Sequence, residues 1–188
     1  MRMGKGTTRR VLLKLSGEAL GGPAGIGLDF EALGAVSEQI ARAAHEIQIA
    51  IVVGAGNLCR GADWSSDKVH RADADAIGMA ATHVNALALR AHLQIHDCPS
   101  EVMGAGSPVP QVQPFDSTKA RQMLSSGTTM VFSGGTGNPF VTTDTCAALR
   151  AAELDCVELL KGTKHDGIYD QDPALHPDAK KLEITTFD

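Results

Sequence analysis

Two segments rich in glycine, threonine and asparagine could bind a phosphorylated ligand. They span residues 134–144 and 161–173, and each follows an apolar run that is typical of a buried strand. Glycines let the backbone approach a ligand closely, while hydroxyls and free N–H groups bind phosphate or ribose oxygens. Two more glycine-containing loops, at residues 14–18 and 54–61, lie nearer the N-terminus. Together the four loops predict a nucleotide site.

Charged side chains in these loops could act on a phosphoryl group. Lys14 ends the first predicted strand, where an ammonium group can neutralise charge on a phosphoryl group in transfer. By itself Lys14 is better explained as a strand-end lysine that reaches solvent, and the chain has no G-x-x-x-x-G-K-[ST] motif. Asp144 could position Lys14 or accompany a magnesium ion, but it could also only compensate a helix dipole. Lys161 and Lys164 flank a Gly-Thr pair, and cations on opposite sides of a site suit in-line phosphoryl transfer.

Other residues could bind the remainder of a nucleotide. Arg60 could make a bidentate phosphate contact, unless its loop is a plain strand-to-helix turn. Asp75 could accept a hydrogen bond from a ribose hydroxyl, or it could only cap a helix. Thr142 and Thr143 stand at a predicted helix start, where phosphate binding is physically natural. Tyr169, the only tyrosine of the chain, could stack on a base.

Composition and charge exclude several classes of protein. The 188 residues, 43% of them hydrophobic, can form one sizeable core. A net charge of -5 and a pI near 5.8 do not resemble a nucleic-acid-binding surface. No apolar stretch approaches the ~20 residues of a membrane span, and a signal-peptide pattern is absent, so we expect a cytoplasmic location. The four cysteines and seven histidines show neither metal-ligand spacing nor a triad arrangement, so we expect no metal site and no catalytic histidine.

Strand and helix patterns alternate along the chain. Apolar runs predict strands at residues 11–15, 49–53, 101–103, 128–132 and 157–160. Helices are predicted to begin after Asp29, at Asp73 or Asp75, and after Asp116 or Ser117, with a further helix over 146–154. This order predicts an α/β fold with a mostly parallel open sheet and helices on both faces. Ligands of such sheets bind beyond the carboxyl ends of the strands, where every glycine loop lies.

Five pieces of the chain resemble bacterial uridylate kinases (UMP kinases), members of the amino acid kinase superfamily. They are residues 12–20, 56–61, 78–82, 136–144 and 161–169. The pieces follow one another in the family's order from about Arg9 to the end of the chain. The last two are the most specific. The resemblance implies an αβα sandwich and transfer of the γ-phosphoryl group of ATP, used with Mg²⁺, to UMP.

The resemblance also implies a role for individual residues. Expected ATP contacts are Lys14, Leu15, Ser16, Gly17, Gly56, Arg60, Thr163, Tyr169 and Asp172. Expected UMP contacts are Ala55, Asp75, Thr136, Gly137, Asn138, Pro139, Phe140, Val141, Thr142 and Thr143. Lys14, Asp144 and Lys164 are the expected catalytic residues. The UMP phosphate is already an anionic nucleophile, so no general base is needed.

Organisation and regulation follow from the same resemblance. We expect residues 9–155 to form the UMP-binding part, residues 156–188 part of the ATP-binding half, and residues 1–8 a flexible tail. Members of the family are typically homohexamers that GTP activates and UTP inhibits. The loop at residues 22–27 matches, less closely, the region linked to GTP activation.

The sequence departs from the family pattern at three places. Ala55 replaces the middle glycine of the usual Gly-Gly-Gly-Asn loop. Glu158 stands where the family has an apolar strand residue, so we expect it to be exposed or paired, because a buried unpaired carboxylate is costly. The chain ends at Asp188, where relatives continue with elements that complete the ATP-binding half. We therefore expect a truncated C-terminal part and an uncovered apolar surface or sheet edge.

Three functions remain open from the sequence. The first is a competent UMP kinase. The second is a non-catalytic or regulatory nucleotide-binding homologue without a complete ATP site. The third is a superfamily kinase with another acceptor, such as an amino acid carboxylate or a carbamate, which the motif at residues 136–143 argues against.

Overall fold

Six parallel strands form the central sheet. The computed structural model describes residues 9–59, 69–106, 109–162, 167–171, 173 and 175–184. The strands are β1 (Arg10–Leu15), β2 (Gln48–Val53), β3 (Ser100–Gly104), β4 (Gln113–Pro114), β5 (Thr129–Ser133) and β6 (Glu158–Gly162). Their order across the sheet is β4-β3-β5-β2-β1-β6, with every neighbouring pair parallel. A separate antiparallel pair consists of β7 (Ile168–Tyr169) and β8 (Lys181–Leu182).

Helices pack on both faces of this sheet. They are α1 (Phe30–Ala44), α2 (Arg71–Ile95), α3 (Ser117–Ser125) and α4 (Thr143–Glu153), and short 3₁₀ turns span Gly17–Leu20 and Gly22–Ala24. None of the helices in the described ranges is long and apolar enough to cross a membrane. The predicted α/β sandwich with a mostly parallel sheet is confirmed.

The side chains of β2 show how one strand supplies two cores. Ile49, Ile51 and Val53 belong to the cluster that packs against α1 and α2. Ala50 and Val52 point to the other face and join the cluster under α3 and α4. Because successive side chains of a strand alternate between faces, a continuous apolar run is buried on both sides.

Two of the three predicted helix caps are confirmed. The Asp29 carboxylate accepts a hydrogen bond from the Ala32 N–H at 2.8 Å, and Asp116 accepts one from the Lys119 N–H at 2.9 Å. The predicted start of α2 at Asp73 or Asp75 is wrong. His70 is the N-cap, with Nδ1 3.2 Å from the Ala72 nitrogen, so the helix begins at Arg71.

Strand β6 is exposed, contrary to the prediction of a buried strand. Among the described strands it pairs only with β1 and forms an edge of the sheet, and Leu159 and Leu160 are 42% and 49% exposed. Glu158 is also exposed and forms an ion pair with Arg9. The expectations of an uncovered sheet edge and of a paired or exposed Glu158 are confirmed.

A buried pair of asparagines joins the loop after β2 to the helix behind it. Asn85 of α2 is fully buried, and its Nδ2 donates to the Gly54 carbonyl and to Asn57 Oδ1, both at 2.7 Å. Asn57 donates in return to Asn85 Oδ1 at 3.1 Å and also to the Gly27 carbonyl. The two side-chain amides and the two backbone carbonyls thus supply one another's hydrogen-bond partners, and the loop is held in one position.

We predict that Asn85→Ala lowers the free energy of unfolding by about 1–3 kcal/mol, because the Gly54 carbonyl and Asn57 lose a buried partner. Urea denaturation measures the change. Asn138→Ala removes an exposed amide and is the matched control. A loss no larger than that of the control would show that the buried pair does not stabilise the fold.

Candidate active site

The loops that follow β1 and β2 touch each other and the start of α4. A Cβ atom added to Gly17 would lie 2.8 Å from the Gly56 nitrogen and 2.9 Å from the Gly54 oxygen. A Cβ atom on Gly54 would lie 3.3 Å from the Gly17 nitrogen and 3.5 Å from Thr143 Oγ1. Distances under 3.0 Å are not tolerated by a real side chain, so Gly17 is required for this close approach.

One carboxylate holds two ammonium groups where these loops meet. Lys14 and Lys161 are neighbours in the register of β1 and β6. Lys14 Nζ lies 2.9 Å from Asp144 Oδ1, and Lys161 Nζ lies 3.0 Å from Asp144 Oδ2. The Lys14 side chain is only 10% exposed, so the interpretation of a lysine that extends to solvent is wrong. Asp144 thus contacts Lys14, and its role in positioning this lysine stays a prediction.

The balance of burial and charge keeps Asp144 ionised. Partial burial raises the pKa of its carboxyl, but hydrogen bonds from Lys14 and Lys161 and their positive charges outweigh that effect. The pKa of Asp144 therefore lies below its ordinary value. A carboxylate in this state is a weak base and a strong partner for cations.

The Asp144 carboxylate is already engaged by two cations. Both oxygens of Asp144 accept hydrogen bonds from lysines. No group of three or more His, Cys, Asp or Glu residues in the described ranges could hold a metal ion.

A cavity of about 290 Å³ opens beside this cluster, at the N-terminus of α4. The loop after β2, the first turns of α2 and the chain around the start of α4 supply its walls. The lining residues are Ala55, Gly56, Cys59, Arg71, Asp75, Gly78, Met79, Thr82, Gly135, Val141, Thr142 and Thr143. Free N–H groups at a helix N-terminus favour an anionic ligand, and Thr142 is the N-cap.

Asp75 links α2 to the loop that precedes α4. Its Oδ1 accepts a hydrogen bond from Arg71 Nε and its Oδ2 one from the Phe140 N–H, both at 2.8 Å. The hydrogen bond from Arg71 and then that from Phe140 lower the pKa of Asp75, and together with the charge of Arg71 they outweigh the opposing effect of burial. Asp75 does not cap α2, so the interpretation as a simple helix cap is wrong.

The loop before α4 needs unusual backbone conformations. Gly134, Gly135 and Gly137 have φ values of 74°, 57° and 82°, and Phe140 has 64°. The left-handed region suits glycine, but it strains a phenylalanine. The Phe140 N–H is held by Asp75, and the Gly134 N–H donates to Thr82 Oγ1 at 2.6 Å. Helix α2 therefore fixes both ends of this turn.

The structure places most of the predicted UMP contacts at or beside the cavity. Ala55, Asp75, Val141, Thr142 and Thr143 line it. The other five predicted contacts belong to the turn between β5 and Val141, which was described above: Thr136, Gly137, Asn138, Pro139 and Phe140. Their contact with a ligand stays a prediction.

The predicted ATP contacts are placed only in part. Lys14, Ser16 and Gly17 lie along the end of β1, and Gly56 also lines the cavity. Leu15 is 5% exposed and packs its side chain in the core, so only its backbone can contact a ligand. Tyr169 lies in β7. Four predicted residues lie outside the described ranges: Arg60, Thr163, Lys164 and Asp172.

Two cations at the site were not identified as site residues from the sequence. Lys161, noted only as one of a flanking pair, contacts Asp144. Arg71 lines the cavity four residues before Asp75, a spacing at which helical side chains form ion pairs. That spacing is visible in the sequence and could have identified Arg71.

A second cavity, of about 550 Å³, lies between Glu18, Ala19 and the loop at residues 22–26, and Gly56 borders both cavities. Its lining contains Glu18 and no Lys or Arg among the described residues. The link of this loop to GTP stays a prediction.

Comparison with known proteins identifies the family. The chain is 44% identical over 180 residues to the uridylate kinase of Magnetococcus marinus, which covers 95% of this chain and 75% of that protein. It is 43% identical to the uridylate kinase of Legionella pneumophila strain Lens, over 95% of this chain and 73% of that protein.

Solved structures give the same result. The UMP kinase of Ureaplasma parvum superposes with a TM-score of 0.85 at 33% identity, over 94% of this chain and 75% of that chain. The UMP kinase of Bacillus anthracis gives 0.82 at 32% identity, over 92% and 72%. Residues 9–188 match the sequence model of the amino acid kinase family. Because the family model, the relatives and the shared fold all agree, the chain belongs to the amino acid kinase family.

Proposed function

We propose that this chain is a UMP kinase, which transfers the γ-phosphoryl group of ATP to UMP and yields UDP and ADP. The observation that carries the proposal is the Lys14–Asp144–Lys161 cluster beside the cavity at the start of α4. Relatives that share this fold are named uridylate kinases or UMP kinases. Mg²⁺ enters with ATP, as part of the substrate.

The cluster would act through position and charge. Two ammonium groups fixed at neighbouring strand ends face the place where a phosphoryl group passes from donor to acceptor. Catalysis of such a transfer consists mainly of alignment and neutralisation of the developing charge. Asp144 is a positioning residue, because it holds both lysines without needing to accept a proton. The acceptor phosphate is itself the nucleophile.

We assign the acceptor to the cavity of about 290 Å³ at the start of α4. In this arrangement the N–H groups and hydroxyls at Thr142 and Thr143 receive the UMP phosphate. Asp75 and the turn at residues 136–141 receive the ribose and the base. The donor ATP lies over Lys14, Ser16, Gly17 and Gly56, with its nucleoside toward Tyr169.

The remaining features of the proposal rest on the resemblance alone. They are an acceptor part at residues 9–155 and part of the ATP-binding half at residues 156–188. A homohexameric assembly with GTP and UTP as effectors, and a cytoplasmic location, complete the proposal.

The function is tested by an ADP-release assay with ATP and Mg²⁺. UMP, CMP, aspartate and glutamate serve as alternative acceptors, and we expect turnover with UMP. Turnover with an amino acid instead would assign the chain to another activity of the superfamily. Binding of UMP in calorimetry without any turnover would favour the non-catalytic homologue.

We predict that Asp144→Asn lowers kcat by about 10²–10³-fold, because the amide cannot hold two ammonium groups in place. The dissociation constant for UMP should change little. Asp73→Asn is the matched control, since Asp73 is an exposed carboxylate in the first turn of α2 without a lysine partner among the described residues. An equal effect of the two substitutions on kcat would show that Asp144 only compensates the dipole of α4.

We predict that Ala55→Gly leaves the affinity for UMP equal or makes it higher. Ala55 lines the cavity and is not among the non-glycine residues with positive φ in the described ranges, so its backbone does not require glycine. Removal of the methyl group can only open the cavity. Isothermal titration with UMP measures the effect, and a clear weakening would show that the methyl group contributes to binding.

A further inference from the structure

We propose that Arg71 binds the phosphate of the acceptor nucleotide. Arg71 belongs to the first turn of α2 and lines the cavity of about 290 Å³. The inference rests on the proposed function, because it assumes that this cavity holds a nucleoside monophosphate. It adds a second cationic position to the site, distinct from the Lys14–Asp144–Lys161 cluster.

The guanidinium group is held in advance of binding. Its Nε donates to Asp75 Oδ1 at 2.8 Å, and its Cζ lies 5.7 Å from the centroid of the Phe140 ring. A cation held by a carboxylate and an aromatic ring has lost much of its rotamer freedom, so a ligand meets a smaller entropic cost. Two partners on different elements therefore fix the direction of Arg71.

The contacts of Arg71 with the described residues leave some of its donors for a ligand. The hydrogen bond to Asp75 uses only Nε, and within the described part of the chain neither Nη atom has a hydrogen-bond partner. The Arg71 side chain is 43% exposed, whereas that of Asp75 is 15% exposed. Asp75 is thus largely covered, and Arg71 is the more exposed partner of the pair.

The positive charge around the cavity indicates that Arg71 contacts the phosphate of the nucleotide and not its ribose or base. Arg71 and the N-terminus of α4, with Thr142 as its cap, border the same cavity, and both favour negative charge. The only anionic group of a nucleoside monophosphate is its phosphate. An arginine fork matches phosphate oxygens in a bidentate manner, which an ammonium group does not.

The alternative is that Arg71 only supports the loop before α4. In that role it would orient Asp75, which accepts a hydrogen bond from the Phe140 N–H, and a loss of Arg71 would weaken every ligand of the cavity. The two roles differ in one measurable property. Loss of a phosphate contact raises the dissociation constant of UMP and not that of uridine, whereas a displaced loop raises both.

The experiment compares the dissociation constants of UMP and uridine by isothermal titration for the wild type, Arg71→Gln and Arg71→Lys. We expect Arg71→Gln to weaken UMP roughly 10- to 100-fold, as charge-assisted hydrogen bonds are lost, and uridine less than about twofold. Arg71→Lys keeps the charge without the fork, so its loss for UMP should be smaller than that of Arg71→Gln.

Arg42→Gln is the matched control. Arg42 also pairs with a carboxylate one helical turn away, Glu38, but it lies in the last turn of α1, before the amino end of β2. We expect both affinities to be unchanged in this variant. Circular dichroism of each variant verifies that the fold is retained.

Two outcomes would overturn the inference while the proposed function stands. In one, Arg71→Gln weakens UMP and uridine by the same factor; in the other, it weakens neither. A wild-type chain that binds no UMP would instead overturn the proposed function, and the assignment of Arg71 with it.

Discussion

Two ammonium groups share one carboxylate at the carboxyl edge of the sheet, and the surrounding strands are arranged so that this contact forms. Lys14 and Lys161 stand side by side only because β1 and β6 run parallel in a register that pairs them. Asp144 reaches both because α4 begins directly above these strand ends, with its first turn against the loop after β2. A shift of one residue in either strand would turn a lysine to the opposite face and break the cluster.

The close contact of the loops depends on a glycine at the site and on buried side chains behind it. Gly17 has no side chain because the backbone of the loop after β2 occupies the space that a Cβ atom would need. That loop is in turn held by the buried amides of Asn57 and Asn85, which connect it to the middle of α2. Helix α2 also fixes the loop before α4 through Asp75 and Thr82. One helix thus sets the positions of two loops that meet around the cavity.

Sequence patterns predicted the strands and most helix caps because these features are local. The start of α2 was missed because histidine is a rare cap, and aspartates in the first two turns of a helix resemble cap residues. The burial of β6 was predicted from its apolar residues, but burial depends on what covers a strand, which composition does not contain. Lys14 was ambiguous for the same reason, since its partner Asp144 lies far along the chain. Arg71 is the exception, because its helical spacing from Asp75 was visible without the fold.

Both acids of the site have the same physical role, and this role explains why no proton acceptor is needed. Asp144 and Asp75 each have a lowered pKa and accept hydrogen bonds from basic side chains. An acid that is stabilised as its anion by cations is a poor general base at neutral pH. Such an acid can instead hold a cation at a defined distance from a phosphoryl group. The electrostatics of the site therefore fit transfer between two phosphates, because the nucleophile is then already charged. They fit less well to transfer to a neutral hydroxyl, which must first lose a proton.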